Sequence, residues 1–360
     1  MREDISLKQG FSLLFIFLSG GIMAIGGGSE AGRDSYLSAL CSVFFIIPLY
    51  YVYYNPLKVH KTKNYFEIID LLYSEKFGNI INFVTAIAIF LVALVSFSRF
   101  TLFIKTVALQ NTSVYIIGIF MAFTCIFATY NGFETLGRFC EIMIVAIIFF
   151  LLAFVVVSIP LFKAENLQPF MENGVKPLVS GMYSISATPF MEGFALVVLV
   201  SQSRKRDDMQ KVVFVAGITS AITMSVIFLR NLLILGYPAI ESLYYPSYLA
   251  MSLVSLGEFF ERQEVAVSII FLIADIVKIT SISIFLCKMI NYKFKTQEYK
   301  FYAPAVIIMI FAFSITFFED TMQLFSFFSI YKYILTFPLA VIPICTFILC
   351  KIKTKAVIRK

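Results

Sequence analysis

Polar residues interrupt this 360-residue chain at intervals that match the thickness of a bilayer. About 20 apolar residues span hydrocarbon as a helix. Ten runs meet that length, at approximately 9–28, 35–54, 80–107, 113–130, 138–162, 178–203, 211–235, 264–288, 302–319 and 329–350. The pattern predicts an all-α integral membrane protein of ten transmembrane helices, a single transmembrane domain over residues 1–360. The stretch 238–262 is too polar to span and is expected as a loop carrying a short helix.

Two runs carry breaks. The sixth contains Thr188-Pro189-Phe190-Met191-Glu192-Gly193, a helix breaker, a glycine and a carboxylate at membrane depth. Proline removes a backbone donor and kinks a helix, and an intramembrane carboxylate faces a cavity or a partner rather than lipid. The first run holds five glycines between Gly20 and Gly28. Ten runs divide into two groups of five, about 9–162 and 178–350. Because five is odd, the second group enters from the opposite side, the arithmetic of an inverted repeat whose broken members, helices one and six, flank a midplane site.

Composition supports this class. Hydrophobic residues make up 60% of the chain, charged residues 14%, and mean hydropathy is +0.89, against about 25% charged in soluble domains. The net charge of +7 comes from short clusters between runs, so positive-inside topology explains it and a nucleic-acid partner is not expected. One side of the ten-span layout receives 20 of the 29 Lys and Arg, the other 6, and Arg99, Arg230 and Lys278 fall in or beside spans. Both termini are therefore placed in the cytoplasm. The first run lacks a small-residue cleavage site and reads as a retained span. Tyr50, Tyr51, Tyr53 and Tyr54, and Tyr244, Tyr245 and Tyr248, are expected at the membrane interfaces. Six scattered cysteines without CxxC spacing read as packing, and His60, the only histidine, sits in a basic loop. Neither a metal site, a cofactor nor an enzyme is indicated.

The candidate ligand-binding set is Gly20, Gly21 and Ala24 of span one, Phe97 of span three, Ser186, Thr188, Phe190 and Glu192 of span six, and Asp275 of span eight. Gly20 and Gly21 either line a cavity or allow close helix packing. Glu192 meets a ligand ammonium or coupling proton, or a structural arginine, for which Arg99 is the obvious complement. Arg99 in turn pairs, snorkels or binds a ligand carboxylate. Asp275 and Lys278 lie three apart on one face and either neutralise each other or line the cavity.

Several motifs resemble the B subunit of spore germinant receptors, endospore germination permeases of the amino acid–polyamine–organocation superfamily. They are Ile5 to Gln9, Ala31 to Ser38, Arg99, and the Gly132-x-Glu134-x-x-x-Arg138-x-x-Glu141 pattern. Phe190-x-Glu192 follows, then Gly257-Glu258 through Arg262-x-Glu264. Gly26-Gly27-Gly28 stands where the family often has proline, and Tyr36 where tryptophan is common. The resemblance implies a LeuT-like fold and a chain that senses a small germinant, often an amino acid. It also implies A-type and lipoprotein C-type partner subunits in the inner membrane of the spore. Arg99, Glu134, Arg138, Glu141 and Lys278 are then structural or coupling charges. The alternative is a proton- or ion-coupled amino acid transporter built on the same cavity. In the sensor reading the ligand carboxylate is expected at amides near Gly20 and Gly21, with the ammonium at carbonyls or Glu192 in the broken part of span six and spans three and eight closing the site.

Overall fold

A computed structural model describes residues 5–25, 27–203, 206–254, 263–296 and 298–358. Gly26, the Gly257 to Arg262 motif and the side chain of Ala24 lie outside the described parts. All regular structure among the described residues is helical. The helices are α1 (Leu7–Ile25), α2 (Ser35–Cys41), α3 (Val43–Val59), α4 (Tyr65–Tyr73), α5 (Glu75–Val107), α6 (Val114–Asn131), α7 (Phe133–Ser158) and α8 (Val175–Ile185). They continue with α9 (Phe194–Ser201), α10 (Arg206–Leu235), α11 (Tyr237–Ser242), α12 (Pro246–Ser252), α13 (Glu264–Phe294), α14 (Ala303–Phe317), α15 (Thr321–Thr336) and α16 (Ile342–Ile358).

Among the described residues, seven helical segments are long and apolar enough to cross a bilayer. Two bent pairs, Ser29–Cys41 with Val43–Val59 and Val175–Met191 with Phe194–Ser201, bring the number to nine if each is one span. The ten expected spans are reached only by adding α1, 19 residues long. The loop between α10 and α13 carries two short helices, α11 and α12, where one was expected.

The break in span six lies where proline puts it. α8 passes into a π-helical turn, Ser186–Met191, in which Thr188 leaves helical geometry at φ −134° and ψ 104°. The residue before a proline is disfavoured in the helical region, and Pro189 has no amide hydrogen to return. The two halves meet at 44°. The first span differs from expectation. α1 stays helical through Gly20 and Gly21 and stops at Ile25. The chain then turns at Gly28, whose φ of +68° suits glycine. The break therefore falls at the end of the glycine run.

The core centres on α1, α9 and α13. Every residue of α9 is buried, as are Ala274, Asp275 and all of Val277 to Cys287 on α13. The outer helices turn apolar side chains outward, among them Phe120, Phe123 and Phe127 on α6 and Ile142, Val145 and Phe149 on α7. Such a surface suits lipid rather than water. The tyrosines correct one expectation. Tyr50, Tyr53 and Tyr54 are buried and only Tyr51 of that cluster is exposed; α3 turns Tyr50 towards Phe190 at the break and Tyr53 towards α9. The Tyr53 ring meets Phe194 at 4.9 Å.

Candidate functional site: a buried centre of four charges

Beside the break of span six, four ionised side chains from three elements meet out of solvent. Glu192 follows the π-helical turn, Arg99 comes from the middle of α5, and Asp275 and Lys278 come from α13. Arg99, Glu192, Asp275 and Lys278 are each at most 2% exposed. Arg99 donates to Asp275 through Nη2, and Lys278 donates to Glu192 through Nζ, both as close ion pairs. Tyr331 of α15 donates its hydroxyl to the other oxygen of Glu192 at 2.8 Å. Two cations balance two carboxylates, which is the condition for burying all four.

The pairing differs from the sequence expectations. Among the described residues no ion pair joins Asp275 to Lys278; each pairs with a different element. Arg99 contacts Asp275 rather than Glu192. A helix face carrying both signs three residues apart can either close on itself or present both to neighbours. Here α13 is flanked by an arginine on one side and a carboxylate on the other. Phe271 lies 5.4 Å from the Arg99 guanidinium and Phe17 of α1 lies 5.2 Å from the Lys278 ammonium. These rings add attraction for the cations in a desolvated place. Asp275 Oδ2 and Arg99 Nε are buried without a hydrogen-bond partner among the described residues.

The glycines of α1 pack against this centre. A Cβ on Gly21 would lie 2.6 Å from Arg99 Nη2, and one on Gly20 would lie 1.9 Å from the Ala274 Cβ. Their role here is close approach, and since α1 is helical through both, their backbone groups are not laid open to a carboxylate. Ser186 spends its hydroxyl on the Met182 carbonyl at 2.7 Å. Phe190 is buried against Tyr50, whose hydroxyl reaches the Phe190 carbonyl at 3.4 Å. Thr188 is half-buried at the break. Phe97 does not belong with the centre. Two residues from Arg99, about 200° around the helix, it packs on Phe311 of α14. Glu134 and Arg138 form an exposed i,i+4 pair at 2.7 Å at the start of α7, and Glu141 is half-buried one turn on.

No local pattern marks Tyr331, Glu30 or Lys332 as site residues. Lys332 of α15 pairs with Glu30, which follows the break of span one, and donates to Ser184 of α8 at 2.9 Å. Ser184 also donates to Glu30 at 2.7 Å. Consecutive residues of α15 thus hold the buried centre and this second, shallower pair. His60 lies away from both, beyond α3, and partial burial and Lys63 hold its pKa below the ordinary histidine value.

A sequence profile of the spore germination protein family matches residues 4–323. The chain belongs to that family. It is 23% identical over 283 residues to spore germination protein KB of Bacillus subtilis strain 168, covering 78% of this chain and 76% of that protein. It is 22% identical over 255 residues to the putative spore germination protein YfkT of the same organism, covering 69% and 68%. Among solved structures, the manganese transporter of Eremococcus coleocola in complex with an aromatic bis-isothiourea compound superposes with a TM-score of 0.63 at 14% identity. That match covers 94% of this chain and 78% of the transporter. A mutant of the same transporter gives 0.61 at 15% identity with the same coverage. At such identities the likeness concerns fold: this is an integral membrane protein with the LeuT-like transporter fold.

Proposed function

We propose that this spore germination protein is the membrane subunit of a germinant receptor. Its ligand would be a small zwitterion, an amino acid by chemistry, that binds by exchanging with the internal ion pairs. The observation that carries this reading is the four-charge centre at the break of span six. Arg99 and Lys278 offer cations to a carboxylate, and Glu192 and Asp275 offer carboxylates to an ammonium. The open valences on Asp275 Oδ2 and Arg99 Nε supply further donors and acceptors. The centre is closed to solvent, so ligand must bind a state in which these pairs have parted. Differential affinity for that state shifts the equilibrium. The shift would be read by A-type and lipoprotein C-type subunits in the spore inner membrane, with both termini on the core side. A 5+5 inverted repeat, expected from the run pattern, would let one half rock against the other between these two states.

Spores whose only receptor carries Glu192→Gln with Lys278→Met test the reading, since the double change keeps the centre neutral. The expected result is normal receptor level with the germinant response shifted at least about tenfold in concentration, roughly the 1.4 kcal/mol of one lost charged hydrogen bond. An unchanged dose response at normal level refutes it. The second reading, a proton- or ion-coupled amino acid transporter, draws on the same intramembrane carboxylates, which also serve proton relays. Gradient-driven accumulation of the amino acid in proteoliposomes holding this chain alone would favour transport over sensing.

A further inference from the structure

Outside these pairs another cation, Arg230 of α10, is buried at 4% exposure with no counter-charge among the described residues. Its hydrogen bonds there leave from Nη2, to Asn231 Oδ1 at 2.8 Å and to the Ser247 carbonyl at 3.4 Å, and Nε is buried with none. Asn231 is itself held by donating to Ser247 Oγ at 2.8 Å, so the guanidinium is fixed by its neighbours while its charge goes unmatched among the described residues. A desolvated, unpaired charge is costly, and buried charges are as a rule paired.

The guanidinium lines a cleft with Phe154 of α7, Ile227 of α10, Ser247 of α12, and Val267 and Ile270 of α13. The cleft is half open and its volume is about 10 Å³, the room of one water-sized sphere. It admits one oxygen of an anionic group and leaves the rest of a ligand outside. The helices that frame it present Leu152 and Val156 on α7 and Val265 and Ile269 on α13 as exposed apolar side chains, so an apolar tail has a surface to lie on. The depth agrees. α10 has 30 residues and is about 45 Å long at 1.5 Å per residue, against a hydrocarbon core of about 30 Å. Centred, it overhangs by about 7.5 Å at each end. On that placement Arg230, five residues from Leu235 and so about 7.5 Å in, would fall at the boundary where lipid phosphates meet acyl chains.

We propose that Arg230 is an anion site, taking a phosphate or carboxylate oxygen, with the headgroup of an anionic lipid as the source the apolar frame favours. The site is separate from the four-charge centre and independent of the germinant reading.

The test is the melting temperature of the purified full chain in two arms. One arm compares nanodiscs of phosphatidylcholine with nanodiscs containing phosphatidylglycerol. The other titrates sodium phosphate in mild detergent at constant ionic strength. An anion that binds only the folded chain raises the folded-to-unfolded ratio about 100-fold at 100 times its dissociation constant. A saturable upward shift is expected in wild type and lost in Arg230→Met. A shift confined to phosphatidylglycerol assigns a lipid headgroup, and one given by phosphate as well assigns a general oxyanion site; either supports the proposal. Val267→Phe, which keeps the arginine and fills the cleft, should also lose the shift, and it serves where Arg230→Met fails to fold. No shift in wild type in either arm overturns the proposal, as does a shift that survives both variants.

Discussion

Glu192→Gln is the sharpest test of the charge arrangement. The substitution keeps the size of the side chain and leaves an amide oxygen for the Tyr331 hydroxyl, now 2.8 Å from a carboxylate oxygen. What it removes is the carboxylate that, among the described residues, pairs with Lys278, whose side chain is 1% exposed. Breaking one member of a buried ion pair costs about 3–5 kcal/mol because the survivor stays charged and desolvated. Lys278→Met alone, which strands Glu192, should cost a similar amount. The double change removes both charges and replaces the ammonium with an apolar chain of like length. Such replacements are neutral or stabilising by about 1–4 kcal/mol, so the double variant should recover to near wild type. The chain has no tryptophan, so unfolding is best followed by far-ultraviolet circular dichroism while SDS is titrated against a mild detergent, at four corners of the cycle. The reasoning is refuted if Glu192→Gln alone costs under about 1 kcal/mol, or if Lys278→Met does not rescue it. Either result would mean that Lys278 is neutralised by Asp275 on its own helix.

Three further outcomes are expected. Gly20→Ala should be the more damaging glycine change, because its Cβ would fall 1.9 Å from another Cβ and force α1 off α13. Gly21→Ala meets the end of the Arg99 side chain at 2.6 Å, which can yield; unfolding measurements should give a loss above the usual 1–3 kcal/mol of overpacking for the first and within it for the second. Tyr331→Phe removes one hydrogen bond to a charged oxygen and should cost about 1.5–3 kcal/mol in the same assay. Glu134→Gln should change stability by no more than about 0.5 kcal/mol, since that side chain and Arg138 are 40% and 69% exposed; a larger loss would show a contact beyond this helix.

The parts of this fold legible in the sequence are those set by single residues acting locally. Pro189 required a break in span six and the break is there, since no neighbour can supply its missing amide hydrogen. Apolar length located the helices for the same reason: the bilayer acts on each run separately. The glycines of α1 show where local reasoning stops. Glycine permits both a broken backbone and a close neighbour, and which one occurs depends on what packs alongside. Ala274 and Arg99, 254 and 78 residues away from Gly20 and Gly21 in order, decide for a close neighbour. The same holds for the charges. Each of Arg99, Glu192, Asp275 and Lys278 was conspicuous because a charge at membrane depth demands a partner, but the choice of partner is a property of three elements brought together. Tyr331 and Lys332 carried no such demand, because both stand near the end of a span, where a polar group can reach the interface. Only the turn of α15 sends one to Glu192 and the next to Glu30. That adjacency ties the two sites mechanically, because rotation of α15 that frees Glu192 from Tyr331 also moves the lysine that holds Glu30. The closed centre and the shallower pair are therefore expected to open together, and a variant that weakens Glu30–Lys332 should make Glu192 easier to reach.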